Sequence, residues 1–272
     1  MTSRVPRRIN TQTAKVDYPQ SRSYSLPVPE RTPITEVKHR VNILVTAGNT
    51  QTPVDRVRCI TNIFSGRTGA QIAARAFDRG HAVMLLTSHP EVLDAIPAAA
   101  TSRLRSAPAW RVRPYRTFDD LDAAMSEEIP DGAFDVVIHA AAVSDYRVAG
   151  VFTHHAGEFE DVQAGKVKSS HPELWLKLLP TPKLVDKIRA VWGFTGVLVK
   201  FKLEVGLTES ELLEVAERAR VHSAANLMAA NTLEGMHEWA VVGAGPGTYR
   251  RVTRAELADV LLDAVSAIKT AS

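Results

Sequence analysis

The chain has 272 residues, 33 Lys and Arg against 30 Asp and Glu, one cysteine and a pI near 9.0. One cysteine excludes an internal disulfide and a structural zinc site, and it suits a reducing cytosol, so a cytoplasmic protein is expected. No apolar run reaches the roughly eighteen residues of a membrane helix and the N-terminus has no apolar signal core, so no membrane partner is expected.

The basicity is local. Residues 1–40 carry eight basic and three acidic side chains, a charge of +5, whereas 41–272 carries −2. The first segment also holds Pro6, Pro19, Pro27, Pro29 and Pro33. A polar, proline-rich stretch cannot bury enough surface to offset its ordering entropy. It reads as a basic, flexible arm (1–40) ahead of a body at 41–272. Because that body is slightly acidic, no nucleic-acid partner is expected.

Along the body, short β-rich runs alternate with helical stretches. Residues 41–45 (VNILV) form an apolar run leading into Thr46-Ala47-Gly48, the pattern of a buried parallel strand and its exit turn. A long polar loop follows. Residues 69–77 have amphipathic helical spacing and end at Arg79-Gly80, and 82–87 is the next strand, completing a βαβ unit. Further helices are predicted at 118–128, at 183–191 with Pro182 in the first turn, at 208–222, and from Thr253 to about Lys269. The last two open on the capping boxes Thr208-x-x-Glu211 and Thr253-x-x-Glu256. Strands are predicted at 134–140, 196–201 and 227–230, with a hairpin pairing 239–242 with 248–252. The expected fold class is α/β and Rossmann-like. It has a mostly parallel sheet, helices on both faces, a C-terminal β-hairpin and an inserted loop and strand region at 148–180.

In such a sheet, ligands bind beyond the carboxyl ends of the strands. The first of these loops lacks G-x-G-x-x-G, and the second strand ends in Thr87-Ser88-His89 without a ribose-holding carboxylate. No tyrosine is followed four residues later by a lysine. These features disfavour a nicotinamide enzyme. Ser65-Gly66-Arg67-Thr68-Gly69 opens a helix and reads either as a phosphate cradle or as an ordinary glycine-containing helix start.

From Arg58 the residues Arg58-Cys59-Ile60-Thr61-Asn62-Ile63-Phe64-Ser65-Gly66-Arg67-Thr68-Gly69 resemble the V-R-F-I-S-N-x-S-S-G-x-x-G motif of phosphopantothenoylcysteine synthetases. Ala140-Ala141-Ala142-Val143-Ser144-Asp145-Tyr146 resembles A-A-A-V-A/S-D-Y/F, and Lys166-Val167-Lys168-Ser169-Ser170 sits where the family has K-x-K-K or K-x-x-S-S. Pro180-Thr181-Pro182-Lys183-Leu184 resembles K-T-P-D-I, Phe201-Lys202-Leu203-Glu204 resembles F-K-L-E-T, and Ala229-Ala230-Asn231 resembles V-A-N.

The resemblance implies a ligase of coenzyme A biosynthesis that joins 4′-phosphopantothenate to L-cysteine through an acyl-nucleotide, with Mg2+. It implies that Asn62 holds the reacting carboxylate and that Lys166 closes on the nucleotide phosphates. Ala140, Ala141, Asp145, Pro182, Lys183, Leu184, Val185 and Phe201 would bind nucleotide, with Asp145 also facing the metal. Phe201 reads equally as core packing. Gly48, Arg58, Ser65, Gly66 and Arg67, with Asn62, would bind the acid substrate. A homodimer is implied, with 148–180 pairing across subunits. Residues Leu174–Leu178 are a strand that serves this or packs on its own sheet.

Some positions depart from the family. Asn49 stands in its G-G-T, where it could adopt the left-handed conformation. Phe64 replaces a serine, and Cys59 replaces an aromatic and reads as a small buried hydrophobe. CTP-using members carry two lysines at the positions of Ala219 and Ser223, so ATP is expected, with CTP as the alternative. No flavin is expected, since the decarboxylase domain fused in many members is absent. The competing readings are an NAD(P)-dependent Rossmann oxidoreductase and a catalytically altered nucleotide-binding homologue.

Overall fold

The apolar run that opens the body is strand β1 (Asn42–Ala47), and every residue after Asn42 in it is buried. Alternate side chains leave opposite faces of a strand, so a continuous apolar run can serve two cores at once. Ile43, Val45 and Ala47 join one cluster, and Leu44 joins another. In the computed structural model, which describes residues 40–95, 107–131, 133–155 and 157–271, β1 lies near the centre of the main sheet. The arm at 1–40 falls, but for Arg40, outside the described residues.

The strands that follow are β2 (Gln51–Pro53), β3 (Cys59–Thr61), β4 (Ala82–Thr87), β5 (Trp110–Pro114) and β6 (Val136–His139). After them come β7 (Tyr146–His155), β8 (Glu158–Asp161), β9 (Trp175–Pro180), β10 (Val197–Glu204), β11 (Leu227–Thr232), β12 (Trp239–Gly243) and β13 (Arg250–Thr253). Helices are α1 (Arg67–Asp78), α2 (Phe118–Asp131), α3 (Leu184–Ala190), α4 (Glu209–His222) and α5 (Leu257–Ala271), with a 3-10 turn at Pro90–Ala95.

Eight strands build the main sheet in the order β13-β12-β11-β10-β6-β1-β4-β5. All its pairings are parallel except those that bring in the terminal hairpin β12–β13. Residues of α1 and α5 cover one face with Ile43, Val45 and Ala47. Residues of α2 and α3 cover the other with Leu44, and α4 packs there on Met228 and Ala230. The Rossmann-like α/β class expected from the sequence is the class observed. No helix among the described residues is long and apolar enough to cross a membrane.

Several local expectations change. The polar loop after β1 contains the hairpin β2–β3, whose turn is closed by Asp55: its carboxylate accepts from the N–H groups of Val57 and Arg58 at 2.8 Å each. Cys59 is exposed rather than buried, because β3 is the outer strand of a two-stranded ribbon with all three residues in solvent. Asn49 is not left-handed; among described residues outside glycine only Ala133 and Ala224 have positive φ. Asn49 is instead buried, its N–H donating to Ser88 Oγ at 2.9 Å.

Pro182 precedes α3 rather than filling its first turn, since Lys183 is the extended N-cap. The box at Thr253 forms, with Glu256 N–H donating to Thr253 Oγ1 and Thr253 N–H to Glu256 Oε2, yet α5 begins only at Leu257 after a tight turn. Helix α2 runs to Asp131, carrying Pro130 in its last turn. The inserted region is a three-stranded antiparallel sheet, β8-β7-β9, that starts at Tyr146, and Trp175–Pro180 pairs with β7 of its own chain.

Candidate active site

The sheet's strand order reverses between β1 and β6: the chain runs outward through β4 and β5, then returns to the other side of β1. Loops leaving neighbouring strands in opposite directions open a crevice there. The loop after β1 and the loop after β6 stay joined above the sheet. Ala142 N–H donates to Gly48 O at 2.8 Å, and Ala140 N–H to Thr46 O at 3.2 Å.

Helix α1 is set down on this point by glycines. Gly66 is its N-cap at φ 81°, and a Cβ there would collide with the backbone of Gly48. A Cβ on Gly69 would lie 2.7 Å from the Ala47 side chain. Only glycine permits both the left-handed backbone and the approach. The helix start has no side-chain cap and no acidic residue in its first turn. Its N–H groups and partial positive charge are therefore left to whatever enters the crevice.

Under the helix lies a cavity of about 460 Å³. It is lined by Gly48, by 63–69, by Ala140–Ala142, by Phe201–Leu203 and by Asn231, Met236, His237 and Arg254. The lining contains Arg67, Lys202 and Arg254 and no carboxylate, Lys202 being paired with Glu204 outside it at 3.0 Å. The cavity is therefore suited to a phosphorylated guest.

Below it, His139 is buried, its Nδ1 3.0 Å from Thr46 Oγ1. Burial, with the nearby charge of Lys200, pulls its pKa down to about 4, so the ring is neutral at pH 7. Thr46 Oγ1 in turn accepts from Ala141 N–H at 3.2 Å, fixing the backbone of the cavity floor.

Of the site residues expected from sequence, Gly48, Ser65, Gly66, Arg67, Ala140, Ala141 and Phe201 come together on this cavity. Phe201 also packs against the core, as one of its two readings expected, while its other side lines the cavity. Asn62 is at its edge. One Nδ2 hydrogen goes to Ala142 O at 3.0 Å, and its backbone carbonyl accepts from Asn49 Nδ2 at 2.6 Å. A second Nδ2 hydrogen and Oδ1 remain for a guest.

The remaining residues lie elsewhere. Arg58 is held by the Asp55 carboxylate at 2.5 Å and by Val167 O at 2.7 Å. Asp55 also accepts from Val167 N–H at 3.0 Å, and Arg56 N–H reaches Gly165 O at 3.0 Å. The Arg58 guanidinium and these N–H donors hold the Asp55 carboxyl far below the usual carboxylate range. Lys166 thus stands exposed between two clipped neighbours, and the structure does not bring it to the cavity.

Asp145 is exposed and paired with Lys183, while Leu184 and Val185 are core residues. Among the described residues there is no cluster of three His, Cys, Asp or Glu side chains that could hold a metal. Met236, His237 and Arg254 were not singled out by sequence. They sit after β11 and β13, where only a capping box and a hairpin are visible.

The family description that matches residues 38–266 is the DNA/pantothenate metabolism flavoprotein C-terminal domain. The chain is 35% identical over 229 residues to the coenzyme A biosynthesis bifunctional protein CoaBC of Thermococcus kodakarensis, covering 82% of this chain and 50% of that one. The CoaBC protein of Escherichia coli K12 is 30% identical over 199 residues, 73% of this chain and 42% of that one. The chain therefore spans about half the length of these relatives or less. The solved structure of the DNA/pantothenate metabolism flavoprotein from Streptococcus pneumoniae superposes with a TM-score of 0.69 at 28% identity, covering 84% of this chain and 99% of that one. With most of its body matched and several of its motifs gathered at one switch point, the chain belongs to the DNA/pantothenate metabolism flavoprotein C-terminal domain family, and the synthetase resemblance is borne out.

Proposed function

We propose that this chain is a phosphopantothenate–cysteine ligase working through an acyl-nucleotide, with ATP preferred over CTP. The observation that carries this reading is the carboxylate-free cationic cavity under an uncapped helix start, bounded by the family's motifs. In the first step the pantothenate carboxylate attacks the α-phosphorus. The bond from that phosphorus to the bridging oxygen breaks, and pyrophosphate leaves with the electron pair. In the second, the cysteine amine attacks the acyl carbon, the nucleoside monophosphate leaves and the amine gives up a proton.

Asn62 suits the reacting carbonyl because a neutral amide follows developing negative charge without trapping the ground-state carboxylate. The first-turn N–H groups of α1, with Arg67, take phosphate charge, and Phe201 offers a face to the nucleotide ring. Lys166 and Lys168 serve as a closing loop, and Arg58 holds that loop rather than the substrate. The lone Asp145, already matched by Lys183, fits a Mg2+ that arrives on the nucleotide phosphates better than a resident ion. Such an ion would neutralise phosphate charge.

ATP is favoured because Ala219 and Ser223 provide no cation for a pyrimidine. A homodimer is supported by the apolar face of the β8-β7-β9 sheet, where Phe159 and Trp175 meet edge to face at 5.5 Å while both stay exposed. A cytoplasmic setting fits the single cysteine, and 41–272 is the synthetase unit with 1–40 as its arm. The oxidoreductase reading has no support at the end of β4, where Ser88 is engaged by Asn49.

The test is pyrophosphate release with phosphopantothenate, cysteine and Mg2+, with ATP or CTP. Release that requires both the acid and the nucleotide is expected, faster with ATP. No release with either nucleotide would sink the ligase reading, and a strong CTP preference would sink the nucleotide assignment.

A further inference from the structure

Arg254 follows β13, and its backbone is fixed there: Arg254 N–H donates to Glu238 O at 2.9 Å, continuing the β12–β13 ladder. Its side chain crosses to the opposite wall of the cavity and donates through Nη2 to Thr68 Oγ1 in the first turn of α1. The contact joins positions 186 residues apart. It uses one of five guanidinium donors.

Most other engaged arginines have a carboxylate: Arg58 has Asp55, Arg79 has Asp259 and Asp263, Arg113 has Glu127 and Glu128, and Arg220 has Glu217. Arg254 forms no ion pair among the described residues although it is partly buried. Burial disfavours its charge, and no neighbouring carboxylate restores it. It is also placed beside a helix N-terminus, an end that already carries partial positive charge. A cation desolvated against a positive dipole end, in a cavity with no carboxylate, is unfavourable until an anion enters. The fork of a guanidinium matches two oxygens of a phosphate, and α1 offers N–H groups to the same group from the other side.

We infer that Arg254 is a substrate-binding residue of this cavity, clamping a phosphate group against the first turn of α1, with Thr68 holding the guanidinium in place beforehand. The inference rests on the ligase reading for the identity of the phosphate. The same chemistry is offered by the nucleotide's polyphosphate and by the phosphate monoester of phosphopantothenate. The competing role is a strut joining the start of α5 to α1, which would require no ligand.

Titration calorimetry separates these on wild type, Arg254→Met, Arg254→Lys and Thr68→Ala. The probes are inorganic pyrophosphate, a non-hydrolysable ATP analogue and 4′-phosphopantothenate, and melting temperature is followed in parallel. Arg254→Met should lose about 10- to 100-fold in affinity for one source, the ATP analogue with pyrophosphate or phosphopantothenate, and stay within about threefold for the other. Arg254→Lys should fall between, because it keeps the charge and loses the fork. Thr68→Ala should weaken the same ligand by less.

Every affinity within about threefold of wild type in Arg254→Met, with a lowered melting temperature, would make Arg254 a strut and leave the ligase reading standing. A loss confined to pyrophosphate in a protein that does not bind phosphopantothenate would uphold the clamp and sink the ligase reading. A wild type that binds none of the probes overturns both.

Discussion

The glycine-rich side of the cavity and the lysine loop at 165–168 carry motifs of the same family, yet the fold holds them by different means. The glycine side is backbone packed on backbone: Gly66 against Gly48, Gly69 against Ala47, Ala142 hydrogen-bonded to Gly48. The lysine loop exposes Lys166 and Lys168 on either side of a buried Val167 and is clipped by one carboxylate, Asp55, with Arg56 and Arg58 beside it. A surface made of packed backbone is formed before any ligand arrives. A loop held by a side-chain clip can move by exchanging a few hydrogen bonds. On the proposed ligase reading, the groups offered to phosphate are therefore preset, and the lysines that would close on it are not.

The sharpest way to break the preset side is Gly66→Ala. It demands a left-handed alanine and a methyl group inside the Gly48 backbone. Strain and overpacking together should cost about 4 kcal/mol or more. Failure to accumulate soluble protein, or a melting temperature lowered by about 10 °C, is expected; near-wild-type melting would mean that α1 is not seated as described.

Asn62→Ala leaves the same backbone intact but removes the amide at its edge. Loss of one preorganised donor to a developing oxyanion should lower kcat by about 100- to 1,000-fold. Binding of phosphopantothenate should change much less, and unchanged turnover would remove Asn62 from the chemistry.

Asp55→Ala probes the clipped side. Hydrogen exchange at Val167 should speed up by about tenfold or more, because its amide loses its acceptor, while exchange in β1 stays slow. Equal protection in the variant would show that the loop is held by something other than Asp55.

The same contrast explains what sequence could reveal. Strand β1, helix α1 and strand β4 announce themselves because burial imposes an unbroken apolar run and a helical period on contiguous residues. Strands β7 and β8 do not, because they pair over a small sheet and leave Tyr146 and Phe159 in solvent, so no alternation marks an inside, while β9 shows only as the short run Leu174–Leu178. The hairpin β2–β3 escapes for the same reason. The Asp55-x-x-Arg58 spacing was still a local signal for its turn, and it separates Arg58 from the cavity. Arg254 was hidden differently. Its neighbours satisfy a capping box, and its meaning depends on Thr68 at the far end of the chain.

The smallest effect concerns the layer beneath the cavity, through His139. Its pKa in the fold is about 4, against 6.5 for an unhindered imidazole, because burial and Lys200 oppose its charge. Between those values the unfolded chain binds a proton that the folded chain refuses, so stability falls as pH falls through that window. From pH 7.5 to 5.5 the loss should be about 1 kcal/mol, or a melting temperature lower by about 2–4 °C. The shifted carboxylates do not confuse this range. Asp55, Asp120, Asp135 and Asp259 are all shifted downward, so the stability they add is lost only at more acid pH. His139→Gln keeps a polar group opposite Thr46 and cannot titrate, so its melting temperature should fall less than that of wild type between pH 7.5 and 5.5. A wild-type curve that parallels the variant's would mean that the ring reaches water. The floor under Ala141 would then be looser than the cavity above it requires.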